Sequence, residues 1–159
     1  MRVLPKDPGL LILSCDGAAR GNPGPAGIGV VVEGRDGRVL AEIAEGIGVA
    51  TNNVAEYTAA LEGLRKAADL GAKSVLLRSD SRLLIEQLSG RWRVKNPTLV
   101  RLHEEVRKIL GRFQSVSFEH VPRELNRQAD RLANRGVDEW VAGPGRHYRR
   151  PEPAPELFN

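Results

Sequence analysis

The sequence predicts a mixed α/β domain in which helices cover a single sheet. Three observations point there. The chain opens with three apolar or β-branched runs separated by Gly/Pro turns. Near Asn52 the apolar residues switch from strand to helix periodicity. Beyond that point short apolar runs alternate with helical ones, giving the order βββ-α-β-αα-β-α.

Each element has its own signal. Leu10 to Cys15 is almost wholly apolar, as expected of a central strand buried on both faces. Gly21-Asn22-Pro23-Gly24-Pro25 is a turn, and Ile28 to Val32 is a β-branched second strand. Gly34-Arg35-Asp36-Gly37 turns the chain into a third strand, Val39 to Ile47, so the first three strands form an antiparallel meander. Tyr57, Leu61, Leu64 and Ala68 recur at helical spacing, with Asn52 or Asn53 as the N-cap and Gly71 as the stop. Ser74 to Ser79 is the fourth strand. A helix is expected from Asp80 to Leu88, and another from Pro97 to Leu110 with Leu99, Leu102, Val106, Ile109 and Leu110 as its apolar set. Val116 to His120 is a short fifth strand. Glu124 to Arg135 is the last helix, with Leu125, Ala129 and Leu132 facing inward.

After Trp140 the composition shifts, and residues 143–159 carry four prolines and three arginines without apolar periodicity. The expected layout is an N-terminal extension over 1–9, one domain over 10–140, and an extended or disordered Pro/Arg-rich tail over 141–159. The length of 159 residues suits one domain, and aromatics at 4% leave the core to Val, Leu, Ile and Ala. The net charge of +4 suits a polyanionic partner and equally a solvated basic surface. The single cysteine, Cys15, ends an apolar run and reads as a buried, inert thiol. No apolar run approaches the length of a membrane span and no signal-peptide pattern opens the chain, so the expectation is a cytoplasmic protein that does not enter membranes.

Four acidic residues fall at element boundaries: Asp16 after the first strand, Glu56 in the first turn of the long helix, Asp80 after the fourth strand and Asp130 in the last helix. Singly, each has a plain reading as a helix cap, a first-turn acid or a surface charge. Together they say more. If strands one and four lie side by side, Asp16 and Asp80 meet at their carboxyl ends, where ligands of open α/β sheets bind. Clustered carboxylates repel one another without a cation, and an all-oxygen donor set selects hard ions such as Mg²⁺ or Mn²⁺. Such a cage suits phosphoryl transfer by two metals. No Gly-rich phosphate loop follows a strand and opens a helix, which excludes a P-loop or dinucleotide fold.

Four segments resemble the motifs of type 1 ribonucleases H, in that family's order. They are Asp16-Gly17-Ala18-Ala19-Arg20-Gly21-Asn22-Pro23-Gly24-Pro25, Thr51-Asn52-Asn53-Val54-Ala55-Glu56, Ser79-Asp80-Ser81, and the stretch from His120 to Ala133. Together they cover about residues 10 to 137. The resemblance implies a ribonuclease H-like fold with a five-stranded sheet in the order 3-2-1-4-5. It implies hydrolysis of the RNA strand of RNA–DNA hybrids by a monomer, leaving 5′-phosphate and 3′-hydroxyl ends. It implies two Mg²⁺ ions, or Mn²⁺, held by Asp16, Glu56, Asp80 and Asp130. Glu56 would also touch a ribose 2′-OH, the group that separates RNA from DNA locally. Gly17, Ala18, Ala19, Asn22 and Asn52 match the part that reads neighbouring 2′-OH groups, while Asn22-Pro23-Gly24 also reads as a plain turn. Asn53 would lie near the DNA strand. Thr51 and Asn96 match a pocket for a DNA phosphate, whose third group in some relatives is an arginine; Val49 stands there in this chain.

The sequence departs from the pattern in two places. Many relatives insert a basic helix and loop after the third motif, whereas here Ser89 to Asn96 joins two helices directly, so the protrusion is expected to be missing. Arg91, Trp92, Arg93 and Lys95 read either as a shortened substitute that contacts nucleic acid or, for Trp92, as packing between two helices. His120 falls where relatives carry a mobile histidine that moves protons or releases product. It reads equally as a strand-end residue, because Val121-Pro122-Arg123 is a short connection. Arg123, Asn126 and Asp130 share a helical face, as expected of groups that orient a metal-holding carboxylate, or of an exposed polar stripe. The alternative function is an inactive hybrid-binding module of the same fold.

Overall fold

The computed structural model describes residues 9–143. The expected N-terminal extension lies outside the described residues except for Gly9, and so does the tail from residue 144. The elements are β1 (Leu10–Ala19), β2 (Gly24–Gly34), β3 (Val39–Ala50), α1 (Asn52–Asp69), β4 (Ser74–Ser79), α2 (Arg82–Leu88), α3 (Pro97–Leu110), β5 (Ser115–His120), a 3-10 turn (Arg123–Leu125) and α4 (Arg127–Ala142). The five strands form one mixed sheet in the order β3-β2-β1-β4-β5. The meander β1-β2-β3 is antiparallel, while β4 runs parallel to β1 and β5 parallel to β4.

Alternation along the strands builds two faces. Leu13 and Cys15 of β1 and Ile28, Val30 and Val32 of β2 join one apolar core with Tyr57, Leu61 and Leu64 of α1 and Leu99, Leu102 and Val106 of α3. On the other side of the sheet α4 lies across β1, β2 and β3. There Ala129, Leu132, Ala133 and Val137 are buried. The approach of α4 is very close: a Cβ on Gly29 would stand 2.1 Å from the Ala129 carbonyl oxygen, and one on Gly46 would stand 2.4 Å from the Trp140 Cβ. Cys15 is buried, and burial pushes its thiol up, as an inert core cysteine requires. No helix among the described residues is long and apolar enough to cross a membrane.

Several element ends differ from the sequence expectation. Strands β1, β2 and β3 extend further, through Ala19, back to Gly24 and through Ala50. Helix α1 is capped by Thr51, whose hydroxyl accepts from the Val54 N–H at 3.2 Å, so Asn52 and Asn53 are its first residues and not its cap. Helix α2 starts at Arg82 with Ser81 as cap, which leaves Asp80 free of the helix. The last helix does not run from Glu124 to Arg135. The chain first makes a 3-10 turn after Pro122, so Leu125 points outward and is 72% exposed. Helix α4 then continues to Ala142, because Gly136, Val137 and Trp140 still pack on β2 and β3.

A candidate metal centre at the carboxyl ends of β1 and β4

The register fixes the first two carboxylates. Cys15 pairs with Ser79 as the last step of the parallel β1–β4 ladder, so Asp16 and Asp80, each the next residue, stand side by side where the two strands part. Gly17 lets the third join them: its position lies against the Ala55 and Glu56 backbone, and its N–H donates to Glu56 Oε1 at 2.9 Å. Asp16, Glu56 and Asp80 can each offer an oxygen such that all lie within 4.8 Å of one another. Asp130 reaches the same cleft from the opposite face. Asp16 pairs with Gly29 across β1–β2, and α4 sits directly on Gly29 through the Ala129 carbonyl. The cleft, of about 610 Å³, is lined by Asp16, Glu56, Asp80 and Asp130 together with Gly17, Ala18, Ala19, Asn52 and His120.

The electrostatics are those of an anionic cluster taken out of water. Asp16 is only 4% exposed and Glu56 6%. Burial first, then Glu56, Asp80 and Asp130, push the Asp16 carboxyl up to about 9. Burial and Asp80 push Glu56 up to about 8 against the Gly17 N–H, which favours its charged form. Burial also raises Asp80, with the neighbouring Arg123 guanidinium pulling the other way. Such proton affinity means that a positive charge is wanted there. The donors are all carboxylate oxygens, which fits a hard divalent cation.

The other expected site residues divide. Ala18, Ala19 and Asn52 line the cleft. The turn Arg20–Pro25 holds Asn22 outside it, where Asn22 Oδ1 accepts from the Asn52 N–H at 3.0 Å and pins the turn to the start of α1. Asn53 is exposed on the first turn of α1. Thr51 and Asn96 both cap helices. Asn96 Oδ1 accepts from the Thr98 and Leu99 N–H groups at 2.9 and 3.2 Å. Their acceptors are thus engaged, but the Thr hydroxyl proton and the Asn amide N–H groups remain as donors. Val49 is exposed, as the expected third pocket position.

Trp92 lines a groove with Gln87 of α2 and Val100 and His103 of α3. It is 45% exposed, with the Arg82 guanidinium 5.9 Å from its ring centre, on a turn held by Glu86 through Arg91. His120 ends β5 opposite Ser79, is exposed, and has Nε2 3.3 Å from the Asp80 carbonyl oxygen. It is therefore at once a strand end and a wall of the cleft.

One expectation is corrected. Asn126 does not hold Asp130; it is buried and its Nδ2 donates to the Cys15 carbonyl at 2.9 Å, fixing β1 where it parts from β4. The amide beside Asp130 is Asn134, whose Nδ2 donates to the Asp130 carbonyl at 3.0 Å and to Oδ1 at 3.3 Å. Asn134 in turn meets Arg20, which pairs with Asp138 at 2.7 Å. Sequence reasoning missed Asn134 and Arg20, although four-residue spacing from Asp130 was a usable signal for the first.

This sheet order with carboxylates delivered from β1, α1, β4 and α4 is the ribonuclease H-like fold. The sequence family described as reverse transcriptase-like matches residues 14–136. The chain belongs to that family, as a ribonuclease H domain. It is 47% identical over 129 residues to the bifunctional protein Rv2228c of Mycobacterium tuberculosis, covering 80% of this chain and 35% of that protein. The solved N-terminal RNase H domain of Rv2228c superposes with a TM-score of 0.80, covering 81% of this chain and 99% of that one. Ribonuclease HI of Halobacterium salinarum is 47% identical over 124 residues, 78% of this chain and 62% of its own length. The crystal structure of LC11-RNase H1 in complex with RNA/DNA hybrid matches with a TM-score of 0.79 and 41% identity, over 82% of this chain and 99% of that one. The chain thus spans about a third of the first relative and less than two thirds of the second.

Proposed function

We propose that this chain is an endoribonuclease that hydrolyses the RNA strand of RNA–DNA hybrids, leaving 5′-phosphate and 3′-hydroxyl ends. One observation carries the reading: Asp16, Glu56 and Asp80 converge within 4.8 Å where the parallel β1–β4 ladder ends. The solved relative bound to an RNA/DNA hybrid supports the choice of substrate.

Asp16, Glu56, Asp80 and Asp130 would hold divalent cations, with Mg²⁺ the first choice and Mn²⁺ the second. When bound, a pair of such ions supplies activation of water and stabilisation of the leaving oxygen in an in-line displacement. The chain's own groups prepare the cleft for this. The Gly17 N–H keeps Glu56 oriented and favours its ionised form. Asn126 fixes the carbonyl just before Asp16, and Asn134 steadies Asp130. Glu56, with the Gly17–Ala19 backbone and Asn52, faces the space where ribose 2′-OH groups of the RNA would sit. His120, exposed on the cleft wall, is placed to exchange protons with solvent or the leaving strand. Thr51 and Asn96 keep donors for a DNA phosphate, and Trp92 with Arg82 offers a stacked, cationic face to the duplex.

The test is incubation with a labelled hybrid and Mg²⁺, beside single-stranded RNA and duplex DNA. Cleavage confined to the RNA of the hybrid is expected. Tight binding of hybrid without cleavage would instead show the inactive module.

A further inference from the structure

A second groove continues from the carboxylate cleft along α4. It has a volume of about 590 Å³ and is lined by Arg123, Glu124, Arg127, Asp130, Arg131 and Asn134. Arg123, Asp130 and Asn134 belong to both spaces, so the groove opens directly from the cleft. Its charge is the reverse of the cleft's, with three guanidinium groups against Glu124 and the shared Asp130.

Arg127, Asp130, Arg131 and Asn134 fall on one face of α4, opposite the face that packs on Gly29 and Gly46. One helical turn separates Arg127 from Arg131, so their Cα atoms stand about 6 Å apart along the axis. Both are exposed. Among the described residues neither guanidinium has an ion pair or a hydrogen bond. Their neighbours differ: Arg20 pairs with Asp138 at 2.7 Å, and Arg135 with Glu139 at 3.9 Å. Among the described residues, then, two guanidinium groups on α4, beside a cleft proposed for a phosphodiester, are donors without an acceptor. Planar donors of this kind match phosphate oxygens.

We propose that the Arg127–Arg131 face of α4 is a phosphate subsite that grips the RNA strand as it leaves the carboxylate cleft. The assignment rests on the hybrid reading above. Phosphate contacts of this kind set register and affinity without reading sequence, and they carry the salt dependence of binding. The competing explanation is that the arginines merely offset the negative charge of the cleft. Such a role would act on cation affinity and not on contact with the strand.

The test compares the double variant Arg127→Ala/Arg131→Ala with Arg35→Ala/Arg38→Ala. The second pair removes the same charge from the β2–β3 turn, at the opposite end of the sheet from Asp16. Hybrid binding is followed by fluorescence anisotropy in EDTA across a salt series, with cleavage kinetics in Mg²⁺ alongside. For Arg127→Ala/Arg131→Ala, Kd should rise about tenfold near physiological salt, and the slope of log Kd against log salt should fall by about 1 to 2. KM should rise in step with Kd, while the Mg²⁺ concentration for half-maximal rate stays put. In a series of hybrids with RNA shortened from either end, the difference between variant and wild type should vanish on shortening from one end only. Equal effects from the two double variants would overturn the subsite, as would a changed Mg²⁺ requirement with unchanged Kd. If the wild-type protein binds hybrid without cutting it, the catalytic reading fails, and the EDTA titrations still decide the groove.

Discussion

Gly17→Ala is expected to damage catalysis more than folding. A Cβ there would stand 2.3 Å from the Ala55 carbonyl carbon, 2.4 Å from the Glu56 nitrogen and 2.7 Å from the Ala55 oxygen. Carbon atoms in contact sit about 3.5 Å apart or more, so the start of α1 must retreat by about 1 Å. All three atoms are backbone, and no rotamer change relieves the clash. The retreat carries Glu56 away from Asp16 and Asp80 and stretches its 2.9 Å bond from the Gly17 N–H. A misplacement of about 1 Å in a reacting group is worth roughly 100-fold in rate, or about 2.7 kcal/mol of barrier. Overpacking of this kind costs about 1–3 kcal/mol of stability, which leaves a folded protein. Initial rates on labelled hybrid and a thermal melt on the same preparation separate the two effects. Turnover within about threefold of wild type would refute the claim that this close approach sets the position of Glu56.

Two further predictions concern protons. The folded chain binds protons at Asp16 and Glu56 well above their ordinary values of 3.8 and 4.5. The stability tied to those protons is therefore complete below about pH 4 and is lost as pH rises through about 8 to 9. The metal-free protein should melt at progressively lower temperature from pH 5 to pH 9, with Mg²⁺ restoring most at the alkaline end; a flat profile indifferent to Mg²⁺ would contradict this. His120→Ala should lower kcat about tenfold, as for a positioned acid–base group, while an exposed change of this kind costs under about 0.5 kcal/mol of stability. Unchanged turnover with a clear loss of stability would assign His120 to the strand end alone.

Much of this architecture was legible in the sequence because the signals were local. Ser74 to Ser79 and Pro97 to Leu110 were read to the residue, the first from its apolar run and the second from its apolar periodicity. The antiparallel β1-β2-β3 meander followed from the turn signals between its runs, and the order of the whole sheet from the motif resemblance. The misreadings have physical causes. Asn52 and Asn53 looked like caps, but Thr51 holds the extended backbone and accepts the Val54 N–H. Leu125 looked like a core residue because helical periodicity was carried back through a segment that Pro122 starts as a 3-10 turn. Asn126 was given to Asp130 by spacing along one helix, whereas its partner lies on β1, at a sequence distance that periodicity cannot see. Gly27, Gly29 and Gly46 carried no apparent meaning in sequence. In the fold they let α4 descend on the sheet and bring Asp130 to Asp16.

Asp16 lies at the centre of the carboxylate cluster, so Asp16→Asn is the most direct test. Wild type and variant are compared on a labelled RNA–DNA hybrid at saturating Mg²⁺, with hybrid affinity and melting temperature measured beside the rate. The neutral amide is a poor ligand for a hard cation and relieves the repulsion within the cluster. Wild type should cut the RNA strand alone and leave 5′-phosphate ends, while the variant should bind the hybrid, melt no earlier than wild type when both are free of metal, and show no detectable cleavage. Near-normal turnover by the variant, or an intact hybrid after incubation with wild type, would contradict the assignment of a metal-dependent ribonuclease centre to these carboxylates.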